Sequence, residues 1–250
     1  MVLAWNARTY RRTWRATVTI SFLNPIFFLL SVGVLLGDLV DRRGADLGGL
    51  SYLEFVAPGL LAATAMQLGA GEGAFPVMAG LRWVRSYHAI AATPVRVPEL
   101  LAGVLAWACL RLAVGTVVFA AVAAAFGAFT SPLAALAPAA AVLCGLAFAA
   151  PLAAVSASVD SSLALTGIFR FVLLPMFLLS GTFFPLERLP GWLEPVAWAT
   201  PLWHGVALCR SLAAGDVDAA AALVHVGYLL ALLALGAVLA TRALERRLRQ

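Results

Sequence analysis

The sequence predicts an all-α integral membrane protein of six transmembrane helices, and three observations carry that expectation. Mean hydropathy is +0.96, and 12% of the 250 residues are charged, whereas about a quarter are charged in an ordinary soluble domain. Apolar runs near the ~20 residues that cross a ~30 Å hydrocarbon core recur along the chain. Every lysine-or-arginine position is arginine, and the arginines cluster in short flanks of apolar runs, which reads as an orientation signal and not as a nucleic-acid footprint. One domain of several spans is expected, in a cell membrane, with no nucleic-acid partner.

The six runs are approximately Thr19 to Leu36, Phe55 to Ala74, Pro98 to Ala121, Leu133 to Val155, Leu163 to Thr182 and Ala219 to Ala240. Pro25, Pro58, Pro138, Pro151 and Pro175 interrupt them, which a bundle tolerates because neighbouring helices satisfy the freed carbonyls. With both termini inside, the inner flanks hold Arg8, Arg11, Arg12, Arg15, Arg82, Arg85, Arg96, Arg242, Arg246, Arg247 and Arg249, and the outer loops only Arg42, Arg43, Arg188 and Arg210. The excess predicts an N-in, C-in topology. An arginine-bearing segment precedes the first run and GDLVDRRG follows it in place of a small-residue cleavage site, so no removable signal peptide is expected.

Residues 1–18 carry Leu3, Ala7, Tyr10, Trp14 and Val18 on one helical stripe, with arginines beside it. That is the pattern of a helix lying in the membrane interface, the alternative being a disordered basic flank. The stretch GLRWVRSYHAIAATPVRVPE, residues 80–99, is the polar insert between the second and third runs. As a helix over 81–93 it would gather Trp83, Val84, Tyr87, Ile90 and Ala91 on one face and Arg82, Arg85, Ser86 and Thr93 on the other. Thr93-Pro94 would end it. Pattern alone leaves two readings, a helix that transmits motion from a soluble partner and a loop whose arginines set topology.

A phosphate-binding loop of the GxxxxGK[ST] type needs a lysine, and the chain has none, so any ATP used must be hydrolysed by another chain. Cys109, Cys144 and Cys209 lie apart in apolar context without a CxxC pattern and are expected to pack, not to react. His88, His204 and His225 fall on three separate segments, with no HExxH and no paired carboxylates, which argues against a membrane-embedded enzyme. An ion-gradient carrier would show repeated halves, and none is evident. The fourth run repeats small residues at Ala137, Ala141, Gly145, Ala149 and Ala153, a spacing that permits close helix approach.

The run YLEFVAPGLLAATAMQLGAGEGAFPVMAGLRWVRSYHAIAATPVRVPELLAGVLAW and the later FLLSGTFFPLERLPGWLEPVAWATPLWHGVALCRSL resemble the permease subunits of ABC-2 type exporters. The branch is that of the nodulation-factor exporter permeases, with the anthracycline-resistance permeases close by. The resemblance covers nearly the whole chain. It implies the ABC-2 type exporter fold and a coupling helix at 81–93, with Arg82, Trp83, Arg85, Tyr87 and His88 meeting a nucleotide-binding ATPase. It further implies a second permease, identical or paralogous, and short re-entrant helices over 183–215 at the outer leaflet. The chain departs from the branch at Ser86-Tyr87-His88, where an acidic residue is expected. No cofactor is expected in this chain, ATP and Mg being bound by the partner subunit. Membrane lipids and an amphipathic substrate, such as a drug, a lipid or a lipo-oligosaccharide, are the other expected partners.

Intramembrane charges are costly and therefore informative. Glu72, near the inner end of the second run, matches a glutamate the family often carries and is expected to make a structural or gating contact. Arg111 lies about 20 Å into the third run, too deep for an easy pair with Glu72, and is expected to face the bundle or a second permease, with substrate contact the alternative. Arg170 is expected to snorkel to the inner boundary. Trp192, Trp198, Trp203 and His204 suit an interfacial belt, the alternative being the lining of a substrate exit.

Overall fold

Ser51 and Glu54 open the first long helix among the described residues with a reciprocal cap. Ser51 Oγ accepts from the Glu54 N–H at 3.3 Å, and the Glu54 carboxylate accepts from the Ser51 N–H at 2.8 Å. This S-x-x-E signature satisfies donors that a helix start otherwise leaves unpaired. The structure, a computed structural model, describes residues 26–27, 29–31, 37, 49–188 and 190–249. The expected interfacial helix of 1–18, most of the first span and the loop after it lie outside those residues.

Among the described residues nine α-helices follow in order. They are α1 (Tyr52–Met78), α2 (Ser86–Ala91), α3 (Val97–Ala125), α4 (Ala137–Ser158), α5 (Ser162–Ile168), α6 (Leu174–Leu179), α7 (Glu194–Trp198), α8 (Pro201–Ala214) and α9 (Ala219–Leu248). No strand occurs among the described residues. Wide π turns extend α1 through Ala79–Trp83 and join α5 to α6 through Phe169–Leu173. A 3-10 turn at Pro132–Leu136 leads into α4. Among the described residues five stretches are long and apolar enough to cross a membrane: Tyr52–Trp83, Val97–Ala125, Pro132–Ser158, Ser162–Leu179 and Ala219–Leu248. They coincide with the last five expected runs. The largest boundary changes are at the second and sixth, which continue past Ala74 to Trp83 and past Ala240 to Leu248.

α4 is the central helix, packed on α1, α9, α3 and α8. Its contact with α1 is set by small residues. A Cβ on Gly69 would lie 2.0 Å from Gly145 O, and one on Gly73 would lie 2.0 Å from Ala149 O. Between spans the hydrophobic effect offers little drive, so close backbone approach and interhelical hydrogen bonds hold the pair. Ser156 Oγ supplies one such bond, donating to Ala74 O at 2.7 Å. The small residues of α4 thus meet α1 of the same chain at Gly145 and Ala149. Cys144 and Cys209 are fully buried, as packing residues; Cys144 Sγ closes on Gly205 of α8.

The fifth span (α5–α6) and α9 leave large apolar side chains uncovered, including Leu163, Phe171, Leu223 and Leu235, as helices facing hydrocarbon do. Where re-entrant helices were expected, residues 183–215 form a 3-10 turn at Leu186–Arg188, then α7 and α8. α8 has 14 residues, about 21 Å, too short to span. Thr200 caps its start and Gly215, in the left-handed region, ends it. Arg210 of α8 donates to Phe55 O and Gly181 O, at 3.3 and 2.8 Å, with its guanidinium over the Phe55 ring.

Candidate functional site at the arginine-rich end

The insert between the second and third spans does not fold as one helix over 81–93. α1 runs on through Leu81 and Arg82 to Trp83, and Val84 closes the wide turn with its N–H on Ala79 O at 2.8 Å. Arg85 then adopts φ 54, ψ 23, a left-handed conformation that for a residue with a Cβ costs about 1–2 kcal/mol. That kink turns the chain into the separate helix α2. Thr93 Oγ1 caps its end on Ile90 O at 2.6 Å, and the Arg96 N–H on Glu99 Oε2 at 3.2 Å opens α3.

The kink rearranges the expected faces. Tyr87 is 5% exposed and its ring occupies the space beside Gly80 that a Cβ would need. It packs in an apolar cluster with Leu81, Leu100, Val104 and Leu244, and burial pushes its phenol above the ordinary value. Trp83 and Val84, expected on that same face, are 62% and 61% exposed, because they belong to the end of α1 and precede the turn. Arg85 and His88 are exposed too, and their side chains make no hydrogen bond or ion pair among the described residues.

Arg82 does not share the open polar face. Its guanidinium donates to the Asp160 carboxylate and, at 3.4 Å, to Val159 O. Arg247 donates to the same carboxylate at 2.8 Å and to Ala157 O and Ser158 O at 3.2 and 3.0 Å. One aspartate thus ties the ends of three spans together. The hydrogen bond from Arg82, then the charge of Arg247, holds the Asp160 carboxyl below its usual range. This contribution is therefore complete above the ordinary aspartate range and is lost only as pH falls through the lowered value. Leu81, Arg82, Arg85, His88 and Arg247 line a cavity of about 380 Å³ beside the cluster.

Asp160 and Arg247 join this site although the sequence did not mark them as its members. A lone acid in a short loop on the arginine-rich side was the available signal, since such a charge finds a partner.

Glu72 and Arg111, expected at different depths, form a direct ion pair. The reason is the true end of α1. Measured from Trp83, Glu72 lies about 16 Å into its helix, and Arg111 lies about 21 Å from Val97, a difference that an arginine side chain bridges. Glu72 is 6% exposed, so the pair meets inside the bundle. Arg170 lies on the Phe169–Leu173 π turn and is exposed.

Away from this end, α8 and α9 bring together two histidines that sequence separation had kept apart. His204 Nδ1 and His225 Nδ1 share a hydrogen bond of 2.8 Å, and Tyr228 stacks on His204 with centroids 4.0 Å apart. No cluster of three His, Cys, Asp or Glu side chains suited to a metal occurs among the described residues. Trp203 meets both imidazole rings edge-on, whereas Trp192 and Trp198 are exposed.

The architecture is thus a helical bundle with a kinked, partly exposed insert at its basic end. The family model for the ABC-2 type transporter matches residues 1–214. The chain belongs to the ABC-2 type transporter family. Curated relatives extend the likeness over nearly the full length. Nodulation protein J of Rhizobium meliloti (strain 1021) is 32% identical over 97% of this chain and 91% of its own. The protein of that name from Rhizobium leguminosarum bv. trifolii is 31% identical over 94% and 89%. That from Bradyrhizobium diazoefficiens is 33% identical over 90% and 86%. The chain is accordingly a multi-pass bacterial membrane protein and a permease subunit of the ABC exporter type, a transport subunit and not an enzyme.

Proposed function

We propose that this permease is the membrane half of an ATP-driven exporter, moving an amphipathic molecule out of the cell while a separate subunit binds Mg-ATP and hydrolyses it. The observation that carries the proposal is the exposed group of Trp83, Arg85 and His88 beside a basic cavity. Tyr87 anchors α2 to the bundle, so force applied to the exposed group reaches the spans. An aromatic and two polar groups on a stiff mount are the features of a docking surface. The family match supports the partner class, and a second permease, identical or paralogous, completes the assembly. The amphipathic substrate class rests on the apolar character of the bundle.

Purified permease alone is expected to hydrolyse no ATP above background, and turnover is expected to appear when the partner ATPase is added. ATP hydrolysis by the isolated chain, or export driven by an ion gradient without any ATPase, contradicts the proposal.

The orientation has its own test. Reporter fusions after Arg96 and after Arg249 are expected to score cytoplasmic, and one at Gly191 external, because the arginine excess gathers at the first two sites. A cytoplasmic score at Gly191 overturns the N-in, C-in topology.

A further inference from the structure

At the arginine-rich end a second cavity, of about 590 Å³, opens between α4 and α9. Its walls include Val155 and Ser158 of α4, and Leu239, Arg242, Arg246 and Arg247 of α9. Arg247 is occupied by the Asp160 cluster. Arg242 and Arg246 are exposed, their side chains make no hydrogen bond or ion pair among the described residues, and they lie four residues apart on one helical face, where like charges repel. Two free guanidinium forks side by side suit the oxygens of a phosphate, which they bind by paired hydrogen bonds.

The cavity also has an apolar side. One turn and two turns deeper along α9, Leu239 and Leu235 are 45% and 56% exposed, so the helix surface passes from basic to apolar over about 16 Å. That order matches a phospholipid, with its phosphate at the arginines and its acyl chain along the leucines. We propose that this cavity is a binding site for the headgroup of an anionic phospholipid in the membrane leaflet at this end. Basic pockets between spans recognise such headgroups through the same charge complementarity. Arg247 lies between this site and the neighbouring cavity at Arg85 and His88, the one assigned to the partner ATPase, and Arg242 and Arg246 line this site alone. The proposal rests on the membrane-spanning fold and is independent of the ATPase.

The test is native mass spectrometry of the full-length permease, with phosphatidylglycerol, phosphatidylcholine or inorganic phosphate as probe. Wild type is expected to retain one phosphatidylglycerol per chain with about tenfold preference over phosphatidylcholine. Arg242→Gln/Arg246→Gln is expected to lose that retention about tenfold, while Arg249→Gln, outside the cavity lining, stays within about twofold. Should the double glutamine variant fail to fold, Arg242→Lys/Arg246→Lys keeps the charge but loses the forks and is expected to weaken retention about threefold. Equal retention in the folded variants overturns the site, as does an equal loss in Arg249→Gln, which indicates diffuse charge. Displacement of the lipid by millimolar phosphate makes it a free-anion site. Displacement by the ATPase makes it a protein-docking surface. Either result also overturns the proposal.

Discussion

Arg111→Leu is expected to remove most correctly folded permease from the membrane. The substitution leaves Glu72 buried against α3 without its cation, and breaking a buried pair from one side destabilises by roughly 3–5 kcal/mol. Glu72 is short and 6% exposed, so its carboxylate cannot reach water. Glu72→Leu is expected to destabilise as well, because Arg111, about 21 Å along α3 from Val97, lies too deep for its side chain to carry the charge to a polar boundary. The double variant Glu72→Leu/Arg111→Leu is expected to recover most of the loss, since replacing both partners removes the desolvation penalty along with the attraction. Detergent-solubilised yield and thermal inactivation of the four proteins check this order. A single Arg111→Leu variant as stable as wild type contradicts the pairing.

Gly69→Leu is the second substitution expected to have a large effect. Its Cβ would fall 2.0 Å from the Gly145 carbonyl oxygen, and a backbone atom in a helix cannot yield as a side chain can. α1 and α4 must therefore separate. Overpacking costs about 1–3 kcal/mol, and separation also weakens the Ser156 bond to Ala74 O, which contributes about 1 kcal/mol. Gly71 provides the control. It lies on the same helix with nothing within 4 Å of its Cβ position, so Gly71→Ala is expected to be neutral or to stabilise by about 0.5–1 kcal/mol. Thermal unfolding of the two variants separates close approach from helix propensity. Equal behaviour of the two contradicts the packing account.

The sequence made the helical membrane fold legible because apolar length and arginine placement are both one-dimensional signals. Arginines from the ends of α1 and α9 do converge on Asp160. The Glu72–Arg111 pair was hidden by the polar, glycine-containing stretch GAGEGAF, which lowers hydropathy and made the second span look finished at Ala74. Its helical continuation to Trp83 is what brings the two charges level.

The left-handed turn at Arg85 had no local signal, since glycine or asparagine is the usual occupant of that conformation. Without the turn, 81–93 reads as one amphipathic helix and places Trp83 beside Tyr87. The α1–α4 contact was half legible. The small residues of α4 stood out, but their partners Gly69 and Gly73 show the same four-residue spacing and were passed over.

The central claim, that an ATPase docks on the exposed group at the kink, is tested most directly by co-purification. Arg82 is a poor probe, because reversing its charge disrupts the Asp160 cluster itself. Trp83→Ala/Arg85→Glu removes an aromatic that is 62% exposed and reverses a charge with no partner among the described residues, while leaving Tyr87 and every interhelical contact described here in place. The variant is expected to be made and folded at wild-type levels and to retain the ATPase about tenfold less well, as loss of a docking hot spot does, with export falling in parallel. Undiminished ATPase retention and export by the folded variant would place the coupling surface elsewhere.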